Sequence, residues 1–478
     1  MQAEEDDADQ TLQAEIQSAA EISDTADVLS DDVTADQTLT VTALNMAYPI
    51  TISDSVSASD YTWTSSDTTY VTVSEAGEIT ALAKPSGSAT VTVTATAKAG
   101  ATVDPAKYVV EVKFGTLLNG ICKDPTGQSS ASYYFINGKV QNVTDVKQIG
   151  STWYNLVNGK VTGNTVAHNS NGWWYINSAG TVDFSYKGFG SNSNGYWYCE
   201  GGKVNFNKNG VIQDTTGAIG TKGTWYYVIG SKVQTGYTGV ADYANANGWW
   251  YIKNGKVDFS ANTVAKNKNG WWYVKGGKVQ FSYTGFGSNS NGYWYCESGK
   301  VKFSKNGVIK DTTGAIGTKG TWYYVTGSKV QTGYTGVADY ANANGWWYIK
   351  NGKVDFSANT VAKNKNGWWY VKGGKVQFNY TGFGSNSNGY WYCESGKVTF
   401  KKNSVIKDAT GAIGTKGTWY YVTGSKVQTD YTGLANYANE NDWWFITNGK
   451  VDFTFTGLAQ NKNGWWYVEN GKVDFSRT

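Results

Sequence analysis

The chain has 478 residues, with 58 Gly, 22 Trp, 34 Tyr and 17 Phe but only 10 Leu and 4 Pro. So little leucine beside so much glycine and aromatic side chain excludes a helical bundle, and no apolar run is long enough for a membrane-spanning helix. The formal net charge of +3 conceals two regimes: residues 1–83 hold 17 acidic and no basic residues, whereas from Lys84 onward 41 basic stand against 21 acidic. All of those basic residues but Arg477 are lysines. Lysine without arginine argues against nucleic acid, which is read by bidentate guanidinium contacts. It fits a solvated surface or one attracted to anionic polymers.

Residues 1–34 are acidic and rich in Ala, Ser and Gln, and read as a disordered tail with at most a short helix over 12–22. Residues 35–114 alternate Thr and Val in short runs separated by Ser, Asp and Gly, the pattern of a small β-sandwich. Its Trp63-Thr64-Ser65-Ser66-Asp67, Val71-Thr72-Val73-Ser74, Gly77-Glu78-Ile79-Thr80-Ala81 and Gly87-Ser88-Ala89-Thr90-Val91 stretches resemble the bacterial Ig-like group 2 family. That resemblance implies a non-catalytic spacer or adhesin module, with Trp63 in its core.

From 115 to 478 the sequence repeats. Residues 236–332 recur almost unchanged at 333–429, a period of 97. Within it lies a shorter unit, an aromatic run followed by a tight turn and Lys-Val, which begins 15 times between residues 133 and 465. Its steps are mostly 20–24 residues, with one of 29 in each period. Such periods indicate arrays in which one unit cannot bury its own apolar face.

The unit Trp249-Trp250-Tyr251-Ile252-Lys253-Asn254-Gly255-Lys256-Val257-Asp258-Phe259-Ser260 predicts a β-hairpin, because Asn-Gly supplies the two positive φ angles of a type I′ turn. The two-residue loop sets Lys253 opposite Lys256, Ile252 opposite Val257 and Trp250 opposite Phe259. Period-2 alternation then predicts a core face of Trp250, Ile252, Val257 and Phe259, and a polar face with Trp249, Tyr251 and Asp258. Cys199, Cys296 and Cys393, spaced by 97, replace an aliphatic residue on the core face and are expected to be buried thiols.

The order Gly248-Trp249-Trp250-Tyr251, Asn254-Gly255 and then Tyr283-Thr284-Gly285-Phe286 resembles the choline-binding and glucan-binding repeats of Gram-positive surface proteins. The resemblance covers 115–478 and implies a β-solenoid that binds ligand between hairpins with aromatic walls. Choline-binding members carry Trp after Thr-Gly; this chain has Phe189, Val240, Phe286, Val337, Phe383, Leu434 and Leu458 there. The expected architecture is therefore all-β, a small Ig-like sandwich followed by an extended β-hairpin solenoid of aromatic repeats.

Candidate ligand-binding residues are the polar-face pairs Trp249/Tyr251, Trp271/Tyr273, Trp346/Tyr348 and Trp368/Tyr370, to stack on sugar rings, with Asp258 and Asp355 accepting hydroxyls. The alternative is that the next hairpin covers them. His168, the single histidine, fills the slot of Lys266 and reads as repeat drift rather than a base. Asn-rich loops such as Asn267-Lys268-Asn269-Gly270 lack the carboxylates of a calcium loop and read as turns. No catalytic constellation, metal site or cofactor is expected. The expected protein is a non-enzymatic adhesin, extracellular or on the cell surface, although no leader follows Met1. Its partner is a glycan or cell-wall polymer; the alternatives are a host secreted protein, such as a mucosal glycoprotein or immunoglobulin, or a passive anchoring role. Oligomeric state is left open.

Overall fold

The computed structural model describes residues 35–241, 248–338, 345–435 and 442–477. The acidic tail expected over 1–34 lies outside them. Two compact units divide the chain: the first runs to Tyr186 and takes in Gly201–Lys203, and the second holds Lys187–Glu200 and the residues from Val204 onward.

The first unit opens with seven strands, β1 (Gln37–Val41), β2 (Ala47–Pro49), β3 (Tyr61–Ser65), β4 (Val71–Val73), β5 (Glu78–Ala81), β6 (Val91–Ala97) and β7 (Lys107–Phe114). They form two sheets, ordered β1-β7-β6-β3 and β2-β5-β4, with β1 parallel to β7. The alternating valines close the sandwich: Val91 and Val93 of β6 and Val110 and Val112 of β7 meet Val71, Ile79 and Ala81 from the facing sheet. Trp63 packs on this core, and its indole N–H donates to the Ala58 carbonyl at 3.0 Å. The sandwich then runs into the first repeat hairpins. Leu44 N–H donates to Gly138 O at 2.7 Å and Leu118 N–H to Thr42 O at 3.0 Å.

The repeats are tandem antiparallel hairpins. Thr263–Asn267 pairs with Gly270–Lys275, which turns into the short strand Lys278–Val279. The expected register is present, with Ile252 opposite Val257 and Lys253 opposite Lys256 around Asn254 (φ 50°) and Gly255 (φ 79°). One bond recurs at each step of the second unit. The mid-strand amide of one hairpin donates to the turn carbonyl of the next, as in Tyr251 N–H to Gly277 O (2.7 Å), Tyr273 to Gly299 (2.8 Å) and Tyr295 to Ser328 (2.8 Å). Gly277 has φ +74°, and a Cβ there would stand 2.5 Å from Asp258 O, so glycine is what lets the turn approach this closely.

The predicted division into two faces holds only in part. Ile252 is fully buried, but Phe259 is 52 % exposed. The strand ends at Val257, because Asp258 Oδ1 accepts the Ser260 amide (3.0 Å) and hydroxyl (2.6 Å) and turns the chain away before alternation reaches Phe259. Conversely, Trp249 and Tyr251 pack with Ala261 and Trp272 on the next hairpin's Val274 and Val279. Stacking covers both sides of a hairpin, so the pair expected to be exposed is half-buried.

The 29-residue step has its own structure. Asp214, Asp311 and Asp408 are buried carboxylates at the head of a loop that returns to the next aromatic strand. Asp214 accepts the amides of Thr216, Gly217, Ala218 and Ile219 and the Thr216 hydroxyl. Burial alone would raise its pKa, but the Ile219 and Gly217 amides with Thr216 hold it below the ordinary value.

Candidate ligand-binding surface

The second tryptophan of the Gly270-Trp271-Trp272 run is fixed by the asparagine five residues before it. Asn267 Oδ1 accepts both the turn amide of Asn269 (2.9 Å) and the Trp272 indole N–H (3.0 Å). The same clamp joins Asn289 to Trp294, Asn364 to Trp369 and Asn386 to Trp391, each at 3.0 Å. The Asn-rich loops thus supply turn geometry, and they also aim an indole.

Around Trp272 stand Trp249, edge-to-face at 5.1 Å, and Phe281, edge-to-face at 5.5 Å; Trp249 and Phe281 are 5.4 Å apart. The copy one period on, Trp346, Trp369 and Phe378, has the corresponding spacings of 5.1, 5.5 and 5.4 Å. A related cluster joins Trp271, Trp294 and Phe303, with the indoles stacked at 6.0 Å. Such edge-to-face contacts suit the ring quadrupoles. Among the described residues ten phenylalanines of this type, from Phe184 to Phe475, are 40–53 % exposed. These half-open rings recur along the array as a regular series of exposed apolar faces.

A lysine from the following hairpin completes each cluster. Lys300 Nζ lies 5.3 Å from the Trp272 ring centre, Lys397 Nζ 5.3 Å from Trp369 and Lys329 Nζ 5.6 Å from Trp294. The glycine before the tryptophans makes room for the lysine stem: a Cβ on Gly270 (φ +130°) would stand 2.7 Å from Lys300 Cε. Gly270→Ala is therefore expected to cost about 1 kcal/mol or more and to displace Lys300, read as a changed Trp272 fluorescence together with a lowered melting point.

The expected site residues distribute as follows. Trp249 and Trp346 lie in the three-ring clusters. Trp271 and Trp368 stack on Trp294 and Trp391 at 6.0 and 6.2 Å. Tyr273 and Tyr370 each lie face-to-face with another tyrosine, Tyr283 at 3.7 Å and Tyr380 at 3.8 Å. Burial pushes the phenols of Tyr283 and Tyr380 up to about 12. Tyr251 and Tyr348, with Ala261 and Ala358, pack against the buried clusters of Val274 and Val279 and of Val371 and Val376. Asp258 and Asp355 sit at the turns, with one carboxylate oxygen engaged by Ser260 or Ser357; those hydroxyls hold both carboxyls below their usual range. Phe281, Phe378, Lys300 and Lys397 were not among the expected residues. Their signal was the Lys-Val-x-Phe that recurs after many of the turns, with the lysine some 30 residues beyond the indole that it meets.

Positions that carry Trp in choline-binding members are core positions here. Phe189, Phe286 and Phe383 are 1 % exposed, and Val240, Val337 and Leu434 are fully buried; Leu458, at 67 %, is the exception. Cys199, Cys296 and Cys393 are free, buried thiols pushed up to about 12 by burial. The His168 ring lies 5.2 Å from that of Trp173. Among the described residues no three His, Cys, Asp or Glu side chains gather as metal ligands, and no helix is long and apolar enough to cross a membrane.

Comparison with known families agrees with this construction. The choline-binding repeat model matches eleven segments, from 185–205 to 454–474, among them 260–280, 282–302, 357–377 and 379–399. The model of invasin domain 4 matches residues 27–110. No curated protein matches the chain.

Proposed function

We propose that this chain, whose array is made of choline-binding repeats behind an invasin-type Ig-like domain, is a non-catalytic adhesin, secreted by or attached to a Gram-positive cell, that grips carbohydrate multivalently. The observation that carries this reading is the equal geometry of half-open aromatic clusters one period apart. Trp249, Trp272 and Phe281 present the same rings as Trp346, Trp369 and Phe378, with matching spacings. Trp271 and Trp368 add rings stacked on Trp294 and Trp391, and Asp258 and Asp355 stand at turns of the same repeats to accept hydroxyls.

A single half-open phenylalanine offers little area, so one cluster binds weakly. Tethering identical clusters on one chain raises avidity by about 10²–10⁴ when a polymer reaches several at once. Saturable binding on a glycan array is the expected result. Phe281→Ala with Phe378→Ala should weaken binding at least tenfold, by about 1.4 kcal/mol or more, while the array stays folded at the assay temperature, as circular dichroism would check. An array on which no glycan binds above background would end this reading.

A further inference from the structure

A site for a quaternary ammonium needs open aromatic faces around the cation. Here one face of an indole in the half-open clusters already carries an ammonium group of the chain itself. Lys278 stands over Trp250 at 5.6 Å, Lys300 over Trp272 at 5.3 Å, Lys329 over Trp294 at 5.6 Å, and Lys375, Lys397 and Lys426 repeat them over Trp347, Trp369 and Trp391 at 5.7, 5.3 and 5.7 Å. A covalently tethered cation acts at an effective concentration in the millimolar range or above, which a free ammonium ligand must overcome.

Among the described residues these lysines also meet no carboxylate. The ion pairs of the described repeats use other lysines, such as Lys305 with Glu297 and Lys402 with Glu394. None of the six forms an ion pair among the described residues. The contrast is Lys472: in its copy the glycine before the tryptophans is Asp442, and the lysine pairs with it at 2.8 Å. Elsewhere that position is the glycine that admits the stem, as at Gly248, Gly270, Gly345 and Gly367. The result is a repeated combination of a positive charge with no carboxylate partner among the described residues and a half-open phenyl ring beside the same indole. It sits in a region where 41 basic residues face 21 acidic ones from Lys84 onward.

We infer that the ligand of these clusters is an anionic glycan and not choline. The carboxylate or phosphate of the polymer meets the lysine ammonium, while the C–H face of its sugar lies on Phe281, Phe303 or Phe378. This rests on the carbohydrate reading above and narrows it to acidic polymers.

Binding of the full chain to hyaluronan, a choline-free glycerol-phosphate teichoic acid, dextran, polyglutamate and choline chloride tests the inference by calorimetry and thermal shift. Hyaluronan or the teichoic acid is expected to bind, and whichever binds more tightly identifies carboxylate or phosphate as the anion. That binding should fall steeply with added salt and drop at least tenfold in Lys300→Gln/Lys397→Gln, whose melting point stays near that of the parent. Choline at about 10 mM should not shift the melting point. Dextran bound as tightly as the acidic polymers would leave the carbohydrate reading standing and overturn the acidic one. Polyglutamate bound equally well would reduce the clusters to plain charge, and a choline-induced shift would overturn the occupied-face argument. Failure of every polysaccharide would remove the proposed function itself.

Discussion

Phe286→Ala is expected to cost about 3–5 kcal/mol locally, whereas the same substitution at Phe281, five residues earlier, is expected to cost only about 1–2 kcal/mol. Phe286 is 1 % exposed and meets Tyr295 and Tyr323 edge-to-face at 5.3 and 5.9 Å over Val325 and Val330. Phe281 is 44 % exposed. Truncating Phe286 leaves a cavity between two hairpins that stacking cannot close without breaking the bond from Tyr295 N–H to Ser328 O. Because each hairpin touches chiefly its neighbours, the loss should open that stretch and spare distant periods. Hydrogen exchange resolved by peptide is the suitable readout: protection should fall around 285–330 and persist around 382–427. Uniform loss along the array would contradict this nearest-neighbour account.

The second large effect concerns the buried aspartates. Asp311 accepts the amides of Thr313 (3.1 Å), Gly314 (2.8 Å) and Ile316 (3.0 Å) and the Thr313 hydroxyl (2.9 Å). Asp311→Ala strands those donors inside the loop and is expected to cost about 3 kcal/mol, the scale of losing hydrogen bonds to a charged group. The pH dependence follows from the direction of the shift. Burial raises the Asp311 pKa, but the Ile316 amide and Thr313 together bring it below the ordinary aspartate value. A carboxyl whose folded pKa is depressed contributes stability that is complete above its unfolded value and is lost as pH falls through the folded value. Exchange at Gly314 and Ile316 should therefore accelerate below about pH 3.8 in the parent. In Asp311→Asn that acid step should be missing, because the amide does not titrate. An unchanged step in the Asn variant would assign it to another group.

Local chemistry explains how much of this architecture could be read in advance. Asn254-Gly255 specified its turn and the facing pairs beside it, since a two-residue loop leaves one register. The thiol positions followed from the same alternation, and Cys296 is buried as expected. Alternation failed at Phe259 because Asp258 forms a side-chain turn with Ser260 that ends the strand two residues early. The aspartate loops were visible only as a longer step, since nothing in Asp-Thr-Thr-Gly says which amides the carboxylate will collect. For the candidate surface, the tryptophans were legible as aromatics, but Lys300 read as one more solvated turn residue. Its meeting with Trp272 depends on the next hairpin, and that non-local placement is the part a hairpin-by-hairpin reading lacks.

The recurring bond between hairpins has a consequence for how such a chain can change. Tyr227 N–H to Gly255 O, Tyr324 to Gly352 and Tyr421 to Gly449 are the same joint at 2.9 Å, once per 97-residue period. Removing or adding one whole period leaves every remaining joint with the partner type it already had. Copy number is then a free variable: gene segments can be duplicated or lost without posing a new folding problem. Each such event would alter the grip on a polymer by one increment, so that reach and hold are adjusted by counting rather than by redesigning a site.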